Sequence, residues 1–459
     1  VAPAQGKDRQ RGHAACAAGR KRAILGSGRR LVDMRILYHH RTRGTGVEGV
    51  HISGVIDSLK GLGHRVTEVA LVSAARESRH RELEKKPRAM RKLMFSMAKY
   101  APNKLFRIAE LVYGCTAFLK IARVLRRERH DLLYERYAYF NFGGIVAGKI
   151  FRIPVILEVN IVTTLNDVRR MEFRAIARYI EEKLLHSADA IFVVSDFLKA
   201  HLVSRGVKEE KIHVQPNAFS AAGERAAGGG QVVDESLERL MSGRVVIGFL
   251  GRLVPWYRLD CLLKVFHSIH RKHPDTCLVL VGDGTERGLL ESMAGELSIG
   301  ESVHFCGEVS HEGALGLLEV FDVGVIPSTN RWGSPMKLFE YMGMGVPVVA
   351  PDLDVITSVM RDGAHGRIFP LDDFAAMERA LEGLVVDPDL RKTMGEDARA
   401  HVMANHTWER AAENIMSVAY DNVMEKWESR HLGGRDRARS QPREPIGPGE
   451  RLGVVVPLR

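Results

Sequence analysis

From residue 34 onward, short apolar runs alternate with amphipathic stretches. MRILYHH reads as a buried strand, followed by a Gly-rich loop, a helix (VHISGVIDSLKGLG) and a second strand, HRVTEVALV. Further strands are expected at DLLYERY, PVILEVN, AIFVVS and KIHVQPN, with helices through Glu181 and Glu182 and along DFLKAHLVSRG. Strands that are apolar throughout and alternate with helices predict βαβ units in a parallel sheet covered on both faces.

Residues 220–243 break this rhythm with a Gly/Ala-rich stretch that reads as a linker. The alternation then restarts with RVVIGFLG, TCLVLVGDG, SVHFCGEV, DVGVIPS and PVVAPD as strands, and with a helix expected to begin at Ser334. The fold class is therefore α/β, with two Rossmann-like doubly wound domains facing a central cleft. We expect an N-terminal domain over 34–217, a linker over 218–243, a C-terminal domain over 244–407 and an amphipathic helix over 408–427. Residues 1–33 are rich in Gly, Ala and Arg and lack the apolar core of a secretory signal, so they read as a disordered leader or upstream read-through. The Arg-, Gly- and Pro-rich run 428–459 is expected to be a disordered tail.

Composition narrows the class. Apolar residues make up 45% of the 459 and charged residues 27%, as in ordinary globular proteins. No apolar run reaches the roughly 18 residues of a membrane span. The five cysteines (Cys16, Cys115, Cys261, Cys277, Cys306) are odd in number, widely spaced and without a C-x-x-C pair. They argue against a disulfide framework and a zinc site, and for a reducing, cytoplasmic setting.

The net charge of +11 is localised: residues 76–130 hold 16 Lys and Arg against 5 Asp and Glu. Within that block, Lys85–Arg129 interleaves cations with Leu93, Met94, Phe95, Leu105, Phe106, Ile108, Leu111 and Val112. This suits an interfacial helix pair on an anionic membrane surface; packing of the same apolar residues onto the first sheet fits equally.

Gly44-Thr45-Gly46-Val47-Glu48-Gly49 is a formal G-x-G-x-x-G between strand and helix, with Glu68 near a ribose-binding position. Three residues separate the strand from its first glycine, so a flexible loop facing the cleft is preferred to a dinucleotide site. His39-His40 has no third metal ligand at a useful spacing, and no metal is expected.

Asn330–Ala350 is more informative. Ser334 reads as an N-cap and Pro335 as the first helical residue, leaving the amides of Met336, Lys337 and Leu338 to face an anion. Lys337 adds a full positive charge, and Glu340 is placed to accept hydrogen bonds from ribose hydroxyls. A capped core helix with a surface Lys–Glu pair explains these residues equally well if they stand alone. They do not, because Gly251-Arg252, Gly282-Asp283-Gly284 and Gly307-Glu308-Val309 all follow strands of the same sheet. Four loops on one sheet edge form a pocket with Arg252 and Lys337 as its cations.

At these residues the chain resembles family four of the retaining glycosyltransferases, which have the GT-B fold. The similarity runs from about Met34 to Tyr420 through GVHISGVIDSLKGLGHRV, ADAIFVVSDFL, VQPN, GFLGRLVPW, LVLVGDG, VHFCGEV and SPMKLFEYMGMGVPVVAPD. The resemblance implies that Arg252 and Lys337 hold a donor diphosphate, Glu340 binds its ribose and Val309 lies beside the nucleobase. Gly49, Gly251, Gly282, Ser334, Met336 and Leu338 would complete the donor site, and the last helix would return to the acceptor-binding N-terminal domain.

Three positions depart from the family pattern. Trp332 replaces a sugar-contacting Glu. The loop after Gly251-Arg252 reads Pro255-Trp256-Tyr257-Arg258, with Lys337 or Arg258 supplying the missing charge. The strand that often ends in His ends in Glu158-Val159-Asn160, which makes Asn160 a candidate for the reacting sugar, with Glu158 either a second candidate or structural.

The expected reaction is retaining, metal-independent transfer of a hexose-type sugar from a nucleotide-diphosphate sugar to a hydroxyl acceptor, glycan or lipid-linked. No cofactor and no nucleic-acid partner are expected, and the oligomeric state is left open. A sugar-nucleotide epimerase and a non-catalytic basic binding module are the alternatives.

Overall fold

A computed structural model of the chain describes residues 33–42, 46–70, 103–165, 173–220 and 235–424. The expected leader and tail, most of the linker run, and the part of the basic block containing Leu93, Met94 and Phe95 lie outside these residues.

The first sheet comprises β1 (Arg35–His40), β2 (Arg65–Ala70), β3 (Leu132–Arg136), β4 (Val155–Val159), β5 (Ala190–Val193) and β6 (Ile212–Val214). Its spatial order is β2-β1-β3-β4-β5-β6, and all pairs are parallel. The second comprises β7 (Val245–Leu250), β8 (Thr276–Val281), β9 (Val303–Gly307), β10 (Val323–Val325), β11 (Val348–Pro351) and β12 (Gly366–Phe369). It is also parallel, in the order β12-β11-β10-β7-β8-β9. The connections leave β7 and β10 in opposite directions, which opens a crevice at the carboxyl ends of those strands.

Alternation along each strand feeds two cores per domain. Ile36 and Tyr38 of β1 face one cluster, while Leu37 faces the other. In the second domain, Val279 and Val281 of β8 point to one face and Leu278 and Leu280 to the opposite one. Each such side chain contributes roughly 1.5–3 kcal/mol on leaving water.

The two domains are joined at a seam. Phe219 and Thr407 form a parallel bridge, with Phe219 N donating to His406 O at 2.8 Å and Trp408 N to Phe219 O at 3.3 Å. Both chain crossings therefore run side by side. Thr407 caps the next helix by accepting from Arg410 N at 3.3 Å, and that helix, Trp408–Val418, packs on helix Gly46–Gly61 of the first domain. It ends at Val418 and passes into a π-turn over Ala419–Met424.

Among the described residues no helix is long and apolar enough to cross a membrane. Helix Asn103–Arg127 leaves Val112 and Leu119 exposed.

A Cβ placed on Gly54 would fall 2.5 Å from the Trp408 ring. Gly54→Ala is therefore expected to destabilise the protein by about 1–3 kcal/mol, despite alanine's better helix propensity. A chemical-denaturation midpoint at or above wild type would show that Trp408 does not press on this helix.

Candidate active site

The carboxyl ends of β7, β8 and β9 and the start of helix Met336–Gly343 surround a cavity of about 920 Å³ facing the first domain. Gly251, Arg252, Gly282, Val309, Met336, Lys337 and Glu340 all line it. Gly46 and Val50 close it from the first domain. Two glycines are required here. Gly251 has φ +143°, and a Cβ on it would lie 2.6 Å from Lys337 Nζ. Gly282 has φ +129°, and its Cβ would meet the Gly251 carbonyl oxygen at 2.1 Å.

Lys337 dominates the electrostatics. Its side chain is buried, with Nζ 4.0 Å from the Phe249 ring centroid and 3.6 Å from that of Tyr257. Among the described residues no hydrogen-bond acceptor reaches that nitrogen. Burial pushes its pKa well below the usual lysine value, against the pull of the Glu340 carboxylate. The ring faces recover only part of the lost hydration. Burial likewise raises Glu340, to about 7, with Lys337 opposing. His311 Nδ1 lies 3.5 Å from Glu340 Oε1, and burial lowers the histidine's pKa. Arg252 is exposed within the cavity wall and makes no ion pair among the described residues. The arrangement offers one solvated and one buried cation to an anion, with a carboxylate one helical turn beyond.

The helix start differs from expectation. The helix begins at Met336 with Pro335 as its cap residue, and no side chain caps it. Ser334 is engaged across the seam instead. Its Oγ accepts from Asn217 N at 3.0 Å and its carbonyl from Asn217 Nδ2 at 2.6 Å. Leu338 is also corrected: its amide donates to Pro335 O at 3.0 Å and its side chain lies in the core. The amides of Met336 and Lys337 remain as the helix's open donors.

Gly49 does not line the cavity either. Gly46 already begins the helix, so Gly46 and Val50 share the cavity face while Gly49 is turned about 100° from Val50 and is buried. Glu68 is 2.9 Å from His40 Nε2 at the ends of β2 and β1. Arg258 adopts φ +53° and turns to Asp260 at 3.4 Å and Asp372 at 3.8 Å, away from the cavity. The aromatic neighbour Tyr257 is what the loop contributes. Among the described residues no cluster of three metal-ligating side chains occurs.

A second cavity of about 250 Å³ shares Tyr257, Pro335 and Met336 with the first. Asn160, His51, Arg136 and Asn217 line it, together with Ser334. Asn160 Nδ2 donates to Glu158 Oε1 at 2.9 Å, while its buried Oδ1 has no hydrogen-bond partner among the described residues. Glu158 is buried and also accepts from Arg136 Nη1 and, at 3.0 Å, from Tyr134 OH. Burial opposes its ionisation, but His51 and Arg136 outweigh it and hold the carboxyl well below the usual range. Glu158 is thus a hub beneath the cavity. The Trp332 carbonyl accepts from Ser195 Oγ at 2.7 Å, a further contact across the seam.

Tyr257, His311, His51 and Arg136 were not singled out from the sequence. Tyr257 and His311 follow strand ends already marked by glycines, so their positions next to Gly251-Arg252 and Gly307 were the available signal. Nothing in the local pattern marks His51 or Arg136.

The family model for glycosyl transferases group 1 matches residues 237–401, and that for glycosyltransferase family 4 matches residues 48–222. An alpha-D-kanosaminyltransferase of Streptomyces kanamyceticus is 22% identical over 318 residues, 66% of this chain and 81% of that protein. A phosphatidyl-myo-inositol mannosyltransferase of Mycobacterium leprae is 34% identical over 182 residues, 39% of this chain and 47% of that one. The fold matches the crystal structure of Anabaena HepE in complex with UDP at a TM-score of 0.62, with 16% identity over 84% of this chain and 99% of the other. Two matched halves, two doubly wound sheets and a cleft between them define a GT-B glycosyltransferase. The chain belongs to glycosyltransferase family 4.

Glu340 binds its proton more tightly in the fold than in the unfolded chain. Its carboxyl therefore costs stability as pH rises from 4.5 to about 7, with the full cost present above that. Glu340→Gln removes the cost, so the variant's stability relative to wild type should climb across this window and then level, by at most a few kcal/mol. A difference that is flat between pH 4.5 and 8 in denaturant titrations contradicts the assignment.

Proposed function

We propose that this family 4 glycosyltransferase moves a hexose-type sugar from a nucleoside-diphosphate sugar to a hydroxyl of a glycan or lipid-linked acceptor, with anomeric configuration retained. One observation carries the reading: a buried lysine ammonium at a helix start, with no acceptor among the described residues, shares a cavity with the Arg252 guanidinium, which makes no ion pair among those residues. A diphosphate supplies the acceptor that Lys337 lacks and a negative charge that favours its protonated form. The Anabaena structure of the same fold is a complex with UDP, which supports a nucleotide as ligand.

In the proposed reaction the bond between the anomeric carbon and the diphosphate oxygen breaks, and its electron pair leaves with the nucleoside diphosphate. The acceptor oxygen bonds to the anomeric carbon on the face that was vacated, and its proton passes to the departing phosphate oxygen. Arg252, Lys337 and the amides of Met336 and Lys337 neutralise the charge that grows there. Glu340 takes the ribose hydroxyls, with His311 alongside, and Val309 lies next to the base. Asn160, one strand end of the first domain, offers its unpartnered Oδ1 to a sugar hydroxyl. Gly251 and Gly282 let the ligand approach the backbone. The reading needs no metal ion, so EDTA is expected to leave turnover unchanged. It places the enzyme in the cytoplasm, with the basic block toward an anionic membrane face.

Lys337→Ala should lose ~10²–10³ in kcat while keeping the far-ultraviolet circular dichroism of the wild type. The assay is acceptor-dependent release of nucleoside diphosphate across UDP-, GDP-, ADP- and CMP-sugars. Near wild-type turnover in the variant defeats the reading, and release without any acceptor points to an epimerase.

A further inference from the structure

His51, in the second turn of helix Gly46–Gly61, is buried at the wall of the second cavity. Its Nδ1 lies 2.7 Å from Asn217 Oδ1. Its Nε2 lies 2.9 Å from Glu158 Oε1, close enough for an ion pair although bent away from hydrogen-bond alignment.

Neither partner can turn a donor toward the ring. The Asn217 amide is oriented independently by donation from Nδ2 to Ser334 O at 2.6 Å, and reversing it would set two carbonyl oxygens against each other. Glu158 already accepts from Arg136, Tyr134 and Asn160, as an ionised carboxylate does. Nδ1 therefore faces an acceptor, and Nε2 stands within ion-pair reach of a carboxylate oxygen without hydrogen-bond alignment. A neutral imidazole has one N–H, so either tautomer would press a lone pair onto an oxygen. Only the doubly protonated ring both donates to Asn217 and sets a positive charge, not a lone pair, beside Glu158.

We propose that His51 is an imidazolium and that it acts as a positioning residue for sugar transfer, holding the loop that leads into Met336 through Asn217. The inference rests on reading the Met336 end of that helix as the diphosphate site. His51 fixes the Asn217 side chain. Asn217 fixes Ser334 by two hydrogen bonds, and Ser334 stands two residues before the open amides. The charges around the ring come from three elements. Glu158 on β4 is paired, Arg136 at the end of β3 adds a second cation, and Glu48 on the helix itself lines the same cavity. Trp408 meets the ring edge-on at 4.8 Å and seals it from the side of the crossing helix. The ring thus transmits the position of the first domain's charge hub to the second domain's anion site.

Two measurements test this. In protein labelled with ¹⁵N-histidine, the His51 ring should show two protonated nitrogens at neutral pH. Its signal is assigned by its disappearance in His51→Gln, or by its displacement in Asn217→Ala if the first variant does not fold. One protonated and one bare nitrogen overturns the inference whatever the kinetics show. Second, His51→Gln and Asn217→Ala should each lower kcat about tenfold or more with little change in donor KM, since small misplacements of reacting groups cost that much. If the residues act in series, the double variant loses no more than the weaker single variant. Losses that multiply, or a change confined to KM, defeat the positioning role. Failure of the diphosphate reading looks different: Lys337→Ala would then retain turnover and bind UDP and GDP as wild type does, with the ring state of His51 untouched.

Discussion

The second domain is organised around a single ammonium group kept from water. Lys337 Nζ occupies the space a side chain at position 251 would need, beneath the faces of Phe249 and Tyr257. That placement requires a glycine at 251, and Gly251 in turn requires one at 282, because the two backbones touch. The strand ends β7 and β8 are drawn together by this chain of exclusions. Gly282 N donates to Gly307 O at 2.8 Å and adds β9 to the group. At Gly251, Gly282 and Gly284 the cavity wall is bare backbone, which a ligand can approach closely.

Such a lysine is unfavourable to folding by itself, since desolvating an unpaired ammonium costs several kcal/mol and cation–π contacts return about 0.5–2. The fold tolerates it because the helix carrying it is anchored in every turn. Met336 joins the first domain's core cluster beside Trp408, Tyr341 OH accepts from Leu250 N at 2.6 Å, and Gly343 lies against the Phe219 ring. Those anchors belong to both domains and to the crossing between them. Rigidity supplied by the seam therefore holds a site that is electrostatically strained, as a preorganised anion site must be.

Eleven of the twelve strands were legible as short apolar runs alternating with helices, β12 was not marked, and the glycines at the ends of β7, β8 and β9 pointed to the cavity. Arg252, Lys337 and Glu340 were legible as a group because all follow strand ends of one sheet. What escaped had its cause far along the chain. Ser334-Pro335 reads locally as a cap and a first helical residue, but Asn217, 117 positions away, takes both polar groups of the serine. Arg258 looked like a spare cation until its left-handed backbone turned it toward Asp372. Gly49 belonged to a glycine motif whose helix starts one turn earlier than the motif implies. His51 had no signal in an amphipathic helix, since its chemistry is set by β4 and by the loop after β6. Local pattern gives elements; their exact ends, and the partners that decide which polar group is free, come from elsewhere.

The two cavities share a wall of Tyr257, Pro335 and Met336, so geometry on either side of the seam cannot be adjusted alone. Separating the domains there would break the two Asn217–Ser334 hydrogen bonds and the Ser195–Trp332 contact, and would expose Met336. Net hydrogen bonds are worth only about 0.5–1.5 kcal/mol each, so these three contacts oppose separation only weakly. The paired crossings at Phe219 and Thr407 lie on the same seam, held side by side by two backbone hydrogen bonds, and each tethers the two domains covalently. A ligand bridging Gly46 and Lys337 favours the juxtaposition of the two domains by as much as its contacts with the first domain add to those with the second.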